Sequence, residues 1–401
     1  MKIVGLDVGS ASVVACCLEA LPLPLKPFFA AHKSAIVEFP ATRSGIAALL
    51  AVKPDIAILE PTGMHYAEFW QRALTVEGVE VRYVGHVQVR AYRKLHRLPN
   101  KNDRADALAL AAYGWQYIDN PEFFLRFVPK SALHLRRCVM QLAHLNRITT
   151  PIINCTRQYL AHEFPEVAKM RSLRKVRDDL PPLWGWLSGD RASPYYDRLW
   201  KKSVAHEYGL EISEFTIHQS KRICDLERHQ DRIEQEILTL LQKSDFAIYC
   251  RVFDSFGFGV RSRAVLLSHI YPFEDFLNQD NQPVIEWGES KSGRATKRDR
   301  SLRAFKLRIG MGLVEDSSGQ STNWVPGGSS LCRQALWQWC LCQVEPRRGR
   351  HTDTVRLLGE YLDELKASQL PGKLAQLRTC AKAATLLYRR LLQAFSQKEL
   401  E

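Results

Sequence analysis

The sequence predicts an α/β layer followed by a mainly helical remainder. Three observations carry this. Strand-like and helix-like segments alternate over residues 1–115. Beyond about 130 the texture changes to long stretches with apolar residues three and four apart, the mark of amphipathic helices. The 401 residues are 46% hydrophobic and 10% aromatic, enough apolar surface for more than one core, and roughly 150 residues per domain suggests two or three. We expect boundaries at 1–129, 130–247 and 248–401.

The elements follow in chain order. Ile3-Val4-Gly5-Leu6 is a short buried-strand run, and Ser12-Val13-Val14-Ala15-Cys16-Cys17-Leu18 is a second, with a turn at Asp7-Val8-Gly9-Ser10 between them. Ile56-Ala57-Ile58-Leu59 is a third strand, closed by Glu60-Pro61-Thr62-Gly63. Residues 64–76 suit an amphipathic helix, Val79 to Val84 alternates as a strand, and alanine- and leucine-rich Asp103 to Trp115 is helical. Leu135, Cys138, Leu142, Leu145 and Ile152 mark a long helix that Pro151 is expected to kink or break. After a less regular stretch, 165–211, the pattern returns with Ile223, Leu226, Ile233, Ile237 and Leu240. Two separated heptad-like helices form either a coiled-coil dimer arm or a hairpin buried within one chain. Phe256-Gly257-Phe258-Gly259 then leads into an apolar helix at Ala264–Leu267, Gln279 to Arg300 reads as an exposed basic loop, and the last 50 residues look helical.

Charge narrows the function. Lysine and arginine total 56 against 43 acids, a net charge of +13, which favours a polyanionic partner, nucleic acid before a membrane surface. No run reaches the roughly 18 apolar residues of a membrane helix, and an acid at position 7 interrupts any secretory leader, so the expectation is a cytoplasmic protein. Ten cysteines over this length are too sparse for a disulfide scaffold. The closest group, Cys332, Cys340 and Cys342, has no Cys-x-x-Cys pair and no His-x-x-x-His partner, which argues against zinc. The cysteines read as small apolar residues in a reducing compartment.

Four acids stand where chemistry would need them. Asp7 ends the first strand and Glu60 the third, while Asp103 and Asp106 are three apart and share a helix face. Taken singly, Asp7 suits a turn and Asp103 a helix cap. Gathered together they would repel unless a hard cation neutralised them, and oxygen ligands suit Mg²⁺ or Mn²⁺.

Asp7-Val8-Gly9-Ser10, Glu60-Pro61-Thr62-Gly63 and Lys101-Asn102-Asp103-Arg104-Ala105-Asp106-Ala107 resemble, in order and spacing, the three N-terminal motifs of the DEDD transposases of the insertion-sequence 110/1111 group. That resemblance covers residues 1 to about 160. It implies a ribonuclease-H-like, RuvC-type nuclease domain over 1–129, a helical coiled-coil region over 130–247 and a C-terminal transposase domain over 248–401. Asp7, Glu60, Asp103 and Asp106 would be its metal-binding tetrad. Phe256-Gly257-Phe258-Gly259 is similar to the family's Gly-x-Gly hairpin, whose amides and helix start suit a phosphate. Gly312-Leu313-Val314-Glu315-Asp316-Ser317-Ser318-Gly319 resembles the segment that carries its nucleophilic serine. Ser318 is then the candidate nucleophile, with Ser317 and Ser321 as alternatives.

The resemblance further implies donor and target DNA as substrates, a structured bridge RNA as guide, and a dimer or tetramer in which acids of one subunit meet the serine of another. Arg90, Arg93, Lys94, Arg97 and Lys101 in one basic segment, Lys297, Arg298 and Arg300 in a second, and Gly257 and Gly259 at the hairpin are the candidate nucleic-acid contacts. Tyr83, Tyr92 and His96 are candidates for stacking on bases. Alternatives are a hydrolytic junction endonuclease using the same acids, a nucleic-acid-binding relative without catalysis, and an ATPase of the actin and sugar-kinase type. No second glycine-rich phosphate loop supports the last.

Overall fold

The computed structural model describes residues 1–61, 66–100, 102–125, 129–174, 176, 179–289, 293, 295–318 and 321–398. The chain divides into two compact units, Met1–Phe127 and Val128–Glu401. Among the described residues no helix is long and apolar enough to cross a membrane.

In the first unit β1 (Ile3–Val8), β2 (Ser12–Leu18), β3 (Val37–Pro40), β4 (Ile56–Leu59) and β5 (Glu80–Tyr83) form one sheet in the order β3-β2-β1-β4-β5. The first three pair antiparallel, whereas β4 runs parallel to both β1 and β5. Helices α1 (Leu25–His32), α2 (Arg43–Leu50), α3 (Tyr66–Val76), α4 (His86–Leu95) and α5 (Asp103–Tyr117) cover it. This mixed sheet with helices is compatible with a ribonuclease-H-like domain. The edge strand β3 has no counterpart in the sequence reading. Its residues are mostly exposed, so it lacks the alternating apolar face that betrays a strand.

Period-two alternation splits the sheet residues between two cores. Ile3, Ile56 and Ile58 pack with α5, while Val4, Leu6, Ala57 and Leu59 pack with Trp70 and Leu74 of α3 on the other face. The α5 side is unusually close. A Cβ at Gly5 would lie 2.1 Å from the Ala107 carbonyl oxygen and 2.3 Å from the Ala111 amide nitrogen, and one at Gly114 would lie 2.6 Å from Ile58 Cγ1. Gly5 meets the early turns of α5, and Ile3 and Ile58 meet its later Gly114. The helix therefore runs antiparallel to β1, with its first turn at the carboxyl ends of β1 and β4. Gly5→Ala should force the two backbones apart and cost about 3 kcal/mol, in the range of overpacked cores. A denaturant midpoint unchanged in that variant would show that the contact relaxes freely.

The second unit holds α6 (Lys130–Glu163), α7 (Pro182–Ser188), α8 (Pro194–Lys201), α9 (Val204–Glu207), α10 (Glu214–Leu241), α11 (Ala247–Asp254), α12 (Val260–Ile270), α13 (Arg300–Arg308), α14 (Ser330–Trp339), α15 (Asp353–Ala367) and α16 (Gly372–Lys398). Two hairpins interrupt them, β6 (Ile285–Glu289) with β7 (Ala295–Asp299), and β8 (Leu313–Ser318) with β9 (Ser321–Pro326).

Leu135 and Leu142 of α6 and Ile233 and Ile237 of α10 share one apolar core with Phe253, Leu267, Leu336 and Tyr388. Packing is thus continuous across the boundary expected near 248. The heptad-like helices α6 and α10 pack against each other within the chain. The irregular stretch folds over their far ends, where Trp184 and Leu183 join Leu160, Phe164 and Ile223.

Two local readings are refined. The helix α6 is not broken at Pro151 but runs on through it, with the Thr149 and Thr150 hydroxyls bonding the Leu145 and Asn146 carbonyls just ahead of the missing donor. Much of Gln279 to Arg300 is a hairpin, β6 and β7, and not a loop. Its exposed strands carry no apolar periodicity, but Lys297 lies over the Trp287 ring and Arg300 pairs with Glu286 across it.

Candidate active site

Asp7 lies on the α5 face of β1, two residues beyond Gly5. In the register of β1 and β4, Leu6 sits beside Leu59, so Glu60 follows next to Asp7 at the same end of adjacent parallel strands. Asn102 caps α5, its side chain accepting from the Ala105 amide at 3.1 Å, which fixes where the helix begins and puts Asp103 and Asp106 in its first turn. Two parallel strands and one helix start thereby converge four carboxyls on the carboxyl edge of the sheet. The amino end of α5 favours negative charge there.

The electrostatics record the convergence. Burial first, then the charges of Asp106, Asp103 and Glu60, push the Asp7 carboxyl up to about 7, with Arg93 opposing. Burial also raises Asp106, against the pull of Arg93. Two side chains of α4 face the acids, the imidazole of His86 and the guanidinium of Arg93. His86 Nδ1 donates to Glu60 Oε2 at 2.5 Å, and the Arg93 guanidinium bonds Asp106. Arg93 Nε is buried without a hydrogen-bond partner, a donor held ready beside the acids.

An acid raised in the folded state loses nothing below its unfolded value near 4 and penalises folding increasingly as pH climbs through about 7. Asp7→Asn should therefore melt a few °C above the unmodified chain at pH 8 in chelator, and equal to it at pH 4. A difference of the same size at both pH values would show that Asp7 carries no such penalty.

The oxygen-only donors and their surplus negative charge fit a hard divalent cation. As placed, the acids are drawn toward Arg93 and His86. Among the described residues the one group that brings three ligand atoms within 4.8 Å of one another is elsewhere, at His134, Cys138 and Glu236.

The serine candidates lie in the second unit. Ser317 and Ser318 end β8 and Ser321 begins β9, with the Ser317 backbone paired to Thr322 and that of Ser318 to Ser321. The side chain of Ser318 and all of Gly319 are outside the described residues, as are Thr62, Gly63, Met64, His65, Lys101, Lys291 and Arg294. The base of this hairpin borders a cleft of about 840 Å³ whose wall includes Lys297, Arg303, Lys306, Arg333, Arg378 and Trp324. Burial lowers the Lys306 ammonium.

Gly257 and Gly259 form the turn between α11 and α12. Gly257 has φ of +60° and Gly259 precedes α12 as its cap. The flanking Phe256 and Phe258 stack with centroids 5.2 Å apart and are buried against Trp339. Arg90, Lys94, Arg97, Lys297, Arg298 and Arg300 are exposed, while Arg93 is half-buried in the acid cluster. Tyr92 does not present a stacking face, and Tyr83 is half-buried. Tyr92 is 4% exposed and donates to Gln116, with His96 against its ring, and Tyr83 donates to Gln71.

Sequence reading missed His86, whose relation to Glu60 spans 26 residues and leaves no local signal. It also missed His269. That imidazole lies 3.0 Å, through Nε2, from Ser329 Oγ, and its Nδ1 is 2.8 Å from the Val265 carbonyl. Burial, with Arg136 and Arg308, holds it below its ordinary range.

Comparison with known proteins bears on residues 4–165, which match a family model described as a transposase, the DEDD type of the insertion-sequence 110 group. No curated protein matches the chain.

Proposed function

We propose, from the match of residues 4–165 to the DEDD transposase family of the insertion-sequence 110 group, that this chain cuts and rejoins DNA as the transposase of an insertion sequence. The observation that carries the reading is the convergence of Asp7, Glu60, Asp103 and Asp106 at one sheet edge, where burial and then the other three acids push the Asp7 carboxyl up to about 7. Acids brought together in this way destabilise the fold in part even with Arg93 beside them, a cost that a bound cation would offset.

Asp7, Glu60, Asp103 and Asp106 would hold Mg²⁺ or Mn²⁺. Bound there, the cation supplies Lewis acidity that polarises a phosphodiester and stabilises the departing oxygen. Arg93 balances Asp106 and His86 hydrogen-bonds Glu60 when the acids are otherwise uncompensated. Arg93 then turns its free Nε toward a phosphate oxygen, so its role lies beside the reacting phosphate. The serine of the β8–β9 hairpin, Ser318 in our assignment, attacks the phosphodiester and keeps the bond energy in a phosphoserine link for rejoining. The cationic cleft beside the hairpin suits the DNA backbone, and Trp324 suits a base.

We assign a structured bridge RNA and donor and target DNA as partners, with self-association as dimer or tetramer. The exposed Arg90, Lys94, Arg97, Arg298 and Arg300 support a polyanion surface. The test is denaturing electrophoresis of the protein with flanking donor DNA, guide RNA and Mg²⁺. A Mg²⁺-dependent covalent protein–DNA adduct supports the recombinase. Cleavage without an adduct would favour a hydrolytic junction endonuclease, and binding without cleavage a non-catalytic relative.

A further inference from the structure

In the second unit a second group of ligating side chains stands apart from the DEDD acids. His134 and Cys138 are four residues apart on α6, so they share a face, and Glu236 of α10 reaches across to both. His134 Nε2 is 2.7 Å from Glu236 Oε1, and Cys138 Sγ is 3.6 Å from Glu236 Oε2. All three ligand atoms fall within 4.8 Å of one another. We propose that His134, Cys138 and Glu236 bind a zinc-class dication that clips the start of α6 to the later turns of α10.

Donor chemistry, distance and charge agree. A thiol and an imidazole select zinc or cobalt over magnesium and calcium, which prefer oxygen alone. Tetrahedral zinc, with bonds of about 2.0 Å to nitrogen and about 2.3 Å to sulfur, separates its ligand atoms by roughly 3.3–3.7 Å. The Cys138–Glu236 distance already fits, and the His134–Glu236 contact needs to open by less than about 1 Å. On binding, the Cys138 thiol proton passes to solvent. Thiolate and carboxylate then cancel the charge of the dication, with neutral His134 as third ligand. The sulfur side is walled off, since Cys138 is 1% exposed. The His134 and Glu236 side chains are 40% and 46% exposed, which leaves the fourth position to water. The local sequence hides this arrangement because its third ligand stands 98 residues beyond the cysteine.

The test uses the full chain, stripped of metal and kept in excess Mg²⁺ so that the carboxylate site does not compete. Co²⁺ is the spectroscopic probe and Zn²⁺ the competitor. One equivalent of Co²⁺ should give the near-ultraviolet charge-transfer band of a cobalt–thiolate bond, Zn²⁺ should displace it, and Zn²⁺ alone should raise the melting temperature. Cys138→Ser should abolish the band. His134→Gln and Glu236→Gln, the first half-buried and the second exposed, should each weaken binding at least about tenfold. No band in the unmodified chain, or a band that survives Cys138→Ser, or affinity unchanged in both the His134 and Glu236 variants, would overturn the site. Because none of these readouts requires DNA cleavage, the outcome is independent of the transposase reading.

Discussion

Asp7→Asn is expected to reduce Mg²⁺-dependent strand cleavage at least about a hundredfold, the scale of losing one group that stabilises developing charge, while the protein still binds DNA and RNA. Asp7 is the strongest site for this prediction because its position depends on no flexible element. It lies within β1, on the face that α5 closes over, and the close contact at Gly5 fixes the helix above it. Asparagine keeps the shape and one oxygen but cannot carry the charge a divalent cation needs. Asp106→Asn should behave similarly, with one difference. It also frees Arg93, its hydrogen-bonding partner, so nucleic-acid affinity should hold or rise as cleavage falls. Gel-shift affinity and cleavage rate measured on the same preparations decide the matter. Full cleavage in either variant would remove the four acids from the mechanism.

Ser318→Ala is expected to eliminate the covalent protein–DNA adduct, whereas Ser317→Ala and Ser321→Ala should retain it. The three variants discriminate because only the serine whose oxygen bonds phosphorus is indispensable to the adduct. Ser329→Ala is the informative control. Its hydroxyl lies within hydrogen-bond reach of His269 and also accepts from the Cys332 amide as the cap of α14, so its loss should cost about 1 kcal/mol of stability with the adduct intact. An adduct that persists in Ser318→Ala and disappears in Ser329→Ala would transfer the nucleophile to the His269 pair.

The amino-acid sequence by itself determined the strands that carry a buried face, the helix that begins at Asp103, and the four acids at their ends. Each is written in local pattern: apolar runs at β1 and β4, an alanine- and leucine-rich stretch with an asparagine cap at α5. It also marked the long helices and the Gly257–Gly259 turn. What it could not carry was anything set by pairing across distance. The exposed edge strand β3 and the hairpin β6–β7 exist because neighbouring backbone completes their hydrogen bonds, not because their residues alternate. Pro151 passes within α6 because a continuous core outweighs one absent amide bond. Tyr92 reads as a stacking residue among cations, yet its ring faces the α5 core. Arg93 reads as one more surface cation until α4 lays it against Asp106, and His86 gains its meaning only beside Glu60. Side-chain type and local spacing fix which groups can do chemistry. Which of them meet, and which charges are left uncompensated, is decided by the packing of elements remote in sequence, since burial and Coulomb interactions act through space and not along the chain.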